Sequence, residues 1–174
     1  MCYLKLVIPD EGFEMQWIEY LNSYRNVSER PRPGSVNALN DDFNVFLKKA
    51  ENYRENKTLP PGRVPSTLYF LVNEDLKIIG AVEIRHFLTE NMFKIDGNIG
   101  LGISPDYRRK GYGTEMLRLA LKECKKMGFE KVLITCNKDN IPSRKTILNN
   151  GGIKENEVFE NDKILIERYW IHLT

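Results

Sequence analysis

The residues best suited to chemistry lie in residues 98–114, NIGLGISPDYRRKGYGT, where an apolar strand leads into a helix. The connecting loop is rich in basic residues and has glycines at two alternate positions. Gly111 and Gly113 let the backbone turn its amide groups toward one anion, and the positive end of the helix dipole adds to the attraction. Charge for further phosphates comes from three consecutive basic residues, Arg108, Arg109 and Lys110. The segment therefore predicts a phosphate-binding loop.

Two other nucleotide-binding loops fit this segment poorly. A Walker A loop needs G-x-x-x-x-G-K-S/T, and the chain contains no Gly-Lys-Ser or Gly-Lys-Thr. A Rossmann turn needs G-x-G-x-x-G, and its third glycine position is Met116 here. The pattern that remains is R-x-x-G-x-G, which runs from Arg108 to Gly113.

This pattern resembles the coenzyme A pyrophosphate loop of the GNAT acetyltransferase superfamily. A second segment agrees with the resemblance. Residues 131–136 read as a buried strand, and they precede Asn140, Ser143 and a short helical run that ends near the pair Gly151-Gly152. In the superfamily, an asparagine and a small residue three positions later approach the pantetheine arm. The two motifs occur in the expected order with one helix between them, so together they are more specific than either alone.

The resemblance implies a single GNAT domain over residues 1–174 that transfers an acetyl group from acetyl-CoA to an amine. It places the backbone N–H of Ile103, on a bulged fourth strand, against the acetyl carbonyl. Segments such as Arg85-His86 look like a bacterial subgroup of acetyltransferases whose substrate is undefined. The cofactor-binding residues that it implies are Ile103, Arg108, Arg109, Lys110, Gly111, Tyr112, Gly113, Thr114, Asn140 and Ser143.

Proton transfer from the amine requires a base, and four residues beside the expected cleft could act directly or through water: Glu83 and His86 on the predicted third strand, and Asp96 and Asn98 at or before the fourth. His86 has a pKa suited to neutral pH, whereas Glu83 would need burial to raise its own. With Ile103 they form the predicted catalytic set. Either residue could instead be solvated or serve only as a structural hydrogen-bonding partner.

The family's usual acid is absent. Many members carry a tyrosine seven residues after the motif asparagine, where this chain has Ile147; we expect Ile147 to line the apolar wall beside the thioester. Tyr112 or Tyr169 could replace the missing hydroxyl. Cys136 could act as an acylated nucleophile, although a cysteine that ends an apolar strand is usually buried packing.

The pattern of apolar residues predicts the order β-α-α-β-β-β-α-β-α-β-β, an α/β (α+β) fold with a central, mostly antiparallel sheet. The strand-helix-strand unit of residues 98–136 predicts one parallel pair, and the resemblance implies that these central strands splay apart. Two proline-rich loops, residues 27–41 and 59–65, are either walls of the substrate site or plain linkers.

Composition narrows the function classes. The chain has 174 residues and a net charge of +2, which fits one core and argues against binding nucleic acid by bulk electrostatics. Its three cysteines lack C-x-x-C spacing, so no metal site is expected, and no signal peptide or membrane span is apparent. Composition is consistent with the resemblance, which implies an acetyltransferase that acts on a small-molecule or peptide amine; we expect it to be cytoplasmic, with a homodimer left open.

Two other function classes stay open. A non-catalytic acyl-CoA-binding domain would keep the phosphate loop and Asn140 but lack a working base. A nucleic-acid-binding module would use the loop cations with Lys125 and Lys126 as a phosphate track, which the near-neutral net charge opposes.

Overall fold

A computed structural model describes residues 3–174 and contains seven strands and five α-helices in that range. The predicted order is present with one addition, the short helix α3. It was missed because its six residues are too few to show a helical period; Thr89 caps it by accepting from the Met92 N–H at 3.3 Å. The elements are β1 Lys5–Val7, α1 Glu14–Arg25, α2 Phe43–Arg54, β2 Ser66–Val72, β3 Ile78–Arg85, α3 Glu90–Ile95, β4 Ile99–Ile103, α4 Tyr112–Lys126, β5 Lys131–Asn137, α5 Ile141–Leu148, β6 Ile153–Glu160 and β7 Ile164–His172.

The strands form two antiparallel sheets, with orders β1-β2-β3-β4 and β5-β7-β6. Successive side chains of each strand point to opposite faces of the sheet. On β3, Val82 and Ile84 join the apolar cluster that packs against α4, whereas Ala81 joins the cluster of α1 and α2. Glu83 and Arg85 follow the spacing of Ala81, so they lie on the face opposite α4. We call this side the acceptor face, after the amine acceptor that the sequence analysis expects.

Strands β4 and β5 join the two sheets at one end only. The Asn98 N–H donates to the Leu133 carbonyl at 2.7 Å, and the Asn98 Oδ1 accepts from the Leu133 N–H at 2.9 Å. Beyond this pair, no ladder links β4 to β5 within residues 3–174. The splayed arrangement is therefore confirmed, but the predicted parallel ladder is not formed. The isolated bridge there, between Gly97 and Ile134, is antiparallel, and Gly97 has φ +74°.

The N-terminal helices are held on the acceptor face by a large aromatic cluster. Trp17 is fully buried, stacks on Phe46 with ring centroids 5.2 Å apart, and donates its indole N–H to the Val36 carbonyl at 2.9 Å. Burial of each such side chain is worth roughly 1.5–3 kcal/mol. This packing fixes the loop that follows α1 against the sheet. No helix in the described part of the chain has the length and apolar composition to cross a membrane.

We predict that Asn98→Ala destabilises the protein by about 1–3 kcal/mol, because the buried Leu133 N–H would lose its acceptor. Urea unfolding of wild type and variant measures this difference. Asn22→Ala is the matched control, since the Asn22 side chain bonds to Arg25 on an exposed surface. Equal unfolding midpoints for the Asn98 and Asn22 variants would contradict the role given to Asn98.

Candidate active site

The free edge of β4 is defined by its register with β3. Hydrogen bonds from Arg85 N–H to the Asn98 carbonyl (2.8 Å) and from Ser104 N–H to the Ile79 carbonyl (3.0 Å) mark the bonded pairs. The N–H and C=O of Ile103 fall between such pairs and point away from β3. Pairing continues without a shift along β4, so the expected bulge is not formed there. Residues of β4 that bond to β3 alternate with residues that do not, and this regular alternation is enough to point the Ile103 N–H away from β3.

Two buried tyrosines bond to the carbonyls near the end of β4. The Tyr24 hydroxyl donates to the Ile103 carbonyl at 3.1 Å, and the Tyr20 hydroxyl donates to the Arg32 carbonyl at 2.6 Å. Burial raises the pKa of both tyrosines, so the hydroxyls stay protonated. The Ile103 carbonyl accepts from Tyr24 and, at 3.3 Å, from the Arg108 Nε, so the Ile103 N–H is the backbone group at this position that is left for a ligand. Nothing in the sequence motifs pointed to Tyr24.

The loop after β4 ends at an uncapped helix N-terminus. Gly111 has φ +82° at the N-cap of α4 and carries no side chain to bond the first N–H groups. The N–H groups of Tyr112, Gly113 and Thr114 precede the first helical bond, from Glu115 N–H to the Gly111 carbonyl at 3.2 Å. Unbonded N–H groups and the helix dipole make this end an anion site.

A cleft of about 1080 Å³ extends from Ile103 to this helix end and to the start of α5. Nine of the ten residues predicted to bind the cofactor line it. The exception is Lys110, whose ammonium group donates to the Asp106 carbonyl at 3.2 Å. The prediction of site position from the loop motif therefore agrees with the geometry, while cofactor binding by each residue stays a prediction.

Arg108 is engaged in an ion pair that the sequence did not suggest. Its guanidinium bonds both oxygens of Glu29, at 2.9 and 2.6 Å, and lies 5.5 Å from the centroid of the Tyr24 ring. The hydrogen bond to Arg108 holds the pKa of the Glu29 carboxyl below its usual range. The charge of Arg108 is thus partly neutralised before any phosphate binds.

The second motif serves first as a helix cap. The Asn140 Oδ1 caps α5 by accepting from the Ser143 N–H at 3.2 Å. Asn140 also lines the cleft. Asn150, which the motifs did not single out, donates to the carbonyls of Thr114 and Thr146 at 3.1 and 2.9 Å. Asn150 therefore fixes α5 against α4 at the cleft.

The two base candidates lie in different surroundings. Glu83 is buried on the acceptor face, where Ser66 donates to it at 2.8 Å and Arg85 lies 3.5 Å away. The His86 Nε2 is 2.8 Å from the Thr67 hydroxyl, and burial lowers the pKa of His86. Neither residue lines the cleft that contains Ile103. Glu83 lines a separate cavity of about 220 Å³ on the acceptor face.

Two expectations for the chemistry change with the structure. Ile147 is 2% exposed and packs in the core beneath α4, so it does not line the cleft as expected. Cys136 is also buried there, and burial raises the pKa of its thiol to about 11. Tyr112 lines the cleft, whereas the Tyr169 hydroxyl is bonded to Glu167 at 2.6 Å in the interior. The motif spacing located Ile147 on α5 but could not indicate that its side chain faces the core.

Comparison with known proteins agrees with this geometry. The acetyltransferase (GNAT) family matches residues 34–150, two thirds of the chain. The chain belongs to this family. Acetyl-CoA is the family's acyl donor and the cosubstrate of the chain, and the fold class is the α/β arrangement that the sequence predicted. That residues 1–174 form one domain stays a prediction.

Several solved GNAT acetyltransferases share the fold. One is a microcin C7 self-immunity acetyltransferase in complex with acetyl-CoA and AMP, with 18% identity over 97% of this chain and 92% of that one, and a TM-score of 0.69. The ribosomal-protein-S5-alanine acetyltransferase of Vibrio fischeri has 15% identity, coverages of 99% and 97%, and a TM-score of 0.71. A spermidine N-acetyltransferase chimera that derives in part from Vibrio cholerae has 15% identity, coverages of 98% and 95%, and a TM-score of 0.65. No curated protein matches the sequence significantly.

We predict that Gly113→Val weakens acetyl-CoA binding more than tenfold, which is about 1.4 kcal/mol. A Cβ at Gly113 would lie 3.2 Å from the Thr146 hydroxyl and 3.8 Å from the Ile103 side chain, so a branched side chain would occupy the space between α4 and α5. Calorimetric titration with acetyl-CoA measures the affinity. Gly113→Ala is the matched control and should have an intermediate effect. Unchanged affinity in a folded Gly113→Val protein would contradict the assignment of this loop.

We predict that Glu29→Gln strengthens acetyl-CoA binding two- to fivefold at low salt, because the guanidinium of Arg108 would no longer be neutralised. The pair is half-exposed, so its contribution is limited to about 0.2–1 kcal/mol. The same titration in low and high salt measures the gain, which should shrink in high salt. Glu19→Gln, an equal charge change at an exposed position of α1, should leave affinity unchanged. Weaker binding by Glu29→Gln would instead assign Glu29 to the positioning of Arg108.

Proposed function

We propose that the protein transfers the acetyl group of acetyl-CoA to a primary amine by direct attack in a ternary complex. The observation that carries the proposal is the outward N–H of Ile103 in a cleft whose other end is the uncapped N-terminus of α4. The helix end suits the pyrophosphate of the cofactor, and the strand edge suits its acetyl carbonyl. The acceptor is a small-molecule or peptide amine.

The chemical role of Ile103 lies in its backbone. Attack of a neutral amine on the thioester carbonyl produces a tetrahedral oxyanion, and collapse of this intermediate breaks the C–S bond and releases the thiolate. A backbone N–H already fixed by the β3–β4 ladder stabilises the oxyanion without reorganisation. In this proposal the strand stabilises the oxyanion and a side chain removes the proton from the amine.

Glu83 is the proposed base, acting through water, since it lies on the acceptor face and His86 does not line the cavity there. Pairing with Gly100 places Glu83 three residues from Ile103 along the neighbouring strand. At about 3.3 Å per residue this separation is roughly 10 Å, which requires bridging water rather than direct proton transfer. His86 is the alternative base.

Direct transfer is favoured over an acyl-enzyme by the state of the cysteines. Burial raises the pKa of Cys136 to about 11 and that of Cys124 to about 12, so both are protonated thiols near neutral pH. A thiol is a poor nucleophile compared with its thiolate. Cys2 lies outside the described residues.

We predict that Glu83→Gln lowers kcat by 10²- to 10⁴-fold with little change in acetyl-CoA affinity, whereas His86→Gln has a small effect. Thiol release from acetyl-CoA with a panel of amines measures turnover, and activity should rise with pH because the attacking amine must be neutral. The opposite ranking of the two variants would assign the base to His86. Acetyl-CoA binding with no turnover for any amine would support the alternative function, a non-catalytic acyl-CoA-binding domain.

A further inference from the structure

The acceptor face carries two cavities that lie on opposite sides of the gap between β4 and β5. The smaller, about 220 Å³, is built on β2, β3 and α2, and it contains Glu83. The larger, about 890 Å³, lies between α3 and the strands β6 and β7, and it contains Arg168. Arg63 lines both. The two proline-rich loops contribute Ser35 and Arg63, so they form walls of these cavities rather than plain linkers.

The smaller cavity has an excess of positive charge. Lys49, Arg63 and Arg85 line it together with a single carboxylate, that of Glu83. Glu83 already accepts from Ser66 at 2.8 Å, and Arg85 donates to the Gly97 carbonyl at 2.8 Å. Arg63 forms no ion pair or side-chain hydrogen bond within the described residues. Two positive charges therefore remain without counter-charge in this cavity.

Two buried donors without acceptors lie on the acceptor face, one beside each cavity. The Ser35 hydroxyl lines the small cavity and is buried with no hydrogen-bonding partner among residues 3–174. The Arg168 Nε is likewise buried and unbonded, while its other nitrogens bond Glu155 at 2.6 Å and the Phe93 carbonyl at 3.1 Å. Buried donors normally find acceptors. In the small cavity, a ligand that supplies acceptor atoms and negative charge would satisfy the Ser35 hydroxyl and the two excess positive charges.

We propose that the amine acceptor carries a carboxylate or a phosphate at its far end, and that Arg63 binds this oxyanion together with Lys49 and Arg85. This inference rests on the proposed function, since it names the class of acceptor for the same site. The segment from Arg32 to Ser35 lies over Gly100 and Gly102, between the cofactor cleft and the small cavity. An acceptor held in the small cavity would have to pass this segment to reach Ile103, and Glu83, which lines the small cavity, lies roughly 10 Å from Ile103 along the strands.

Four amines of similar length test the proposal by thiol release from acetyl-CoA: ε-aminocaproate, aminopentyl phosphate, ε-aminocaproamide and cadaverine. We expect kcat/KM for at least one of the two anionic amines to exceed that of the neutral amide by tenfold or more. The carboxylate and phosphate arms distinguish the two sources of negative charge. Equal or better use of the amide or of the diamine cadaverine would overturn the proposal.

The role of Arg63 is tested with three variants. Arg63→Gln should remove the preference for the anionic amine through KM, and Arg63→Lys should restore part of it. Lys48→Gln, an exposed neighbour of Lys49 on α2 that does not line the cavity, is the matched control and should keep the wild-type preference. An anionic preference that survives in Arg63→Gln would overturn the assignment of Arg63.

Calorimetric binding of the same amines to the protein loaded with coenzyme A separates this inference from the proposed function. If no amine is acetylated, tighter binding of an anionic amine to wild type than to Arg63→Gln would still support the oxyanion site while the transferase proposal fails. Absence of binding by both anionic amines, with the neutral amines bound or not, would overturn the oxyanion site.

Discussion

The joint between Asn98 and Leu133 is the constraint on which the rest of the site depends. One backbone hydrogen bond and one side-chain hydrogen bond connect the residue before β4 to β5, both between Asn98 and Leu133. The Asn98 side chain accepts the bond that a backbone carbonyl would accept if the ladder continued. Past this point each strand belongs to its own sheet. The edge of β4 is consequently free at Ile103, directly before the loop that begins α4. A ligand can bond to this edge as an added strand would.

The N-terminal helices complete the cleft through one glycine of β4, Gly102. A Cβ at Gly102 would lie 2.5 Å from the Arg32 carbonyl and 2.8 Å from the Tyr24 hydroxyl, so only glycine permits this approach. Tyr20 and Tyr24 then bond the carbonyls of the loop and of the strand. The wall on this side depends on α1, which lies outside the residues 34–150 that the family matches.

Local chemistry explains which parts of the site could be predicted from sequence. Gly111 has a left-handed backbone, and Asn140 caps the helix that follows it. Both properties are fixed by a few adjacent residues, so the sequence could indicate them, whereas cofactor binding by these residues stays a prediction. The ion pair of Glu29 with Arg108 joins residues 79 apart, so no spacing rule could indicate it. Ile147 was placed by a motif that gives its position on α5 but not the face that packs. The prediction of a bulge in β4 was wrong for a related reason: only the register with β3 determines which β4 amides point outward.

The central claim is that the Ile103 N–H binds the acetyl carbonyl, and the amide resonance of Ile103 in ¹H–¹⁵N NMR tests it most directly. Spectra of the protein with acetyl-CoA and with coenzyme A differ by the acetyl group alone. We predict that the amides of Gly113 and Thr114 shift equally with both ligands because both carry the pyrophosphate. The Ile103 amide should shift further downfield with acetyl-CoA only. An Ile103 resonance that is the same in the two complexes, while the α4 amides respond to both, would contradict the account.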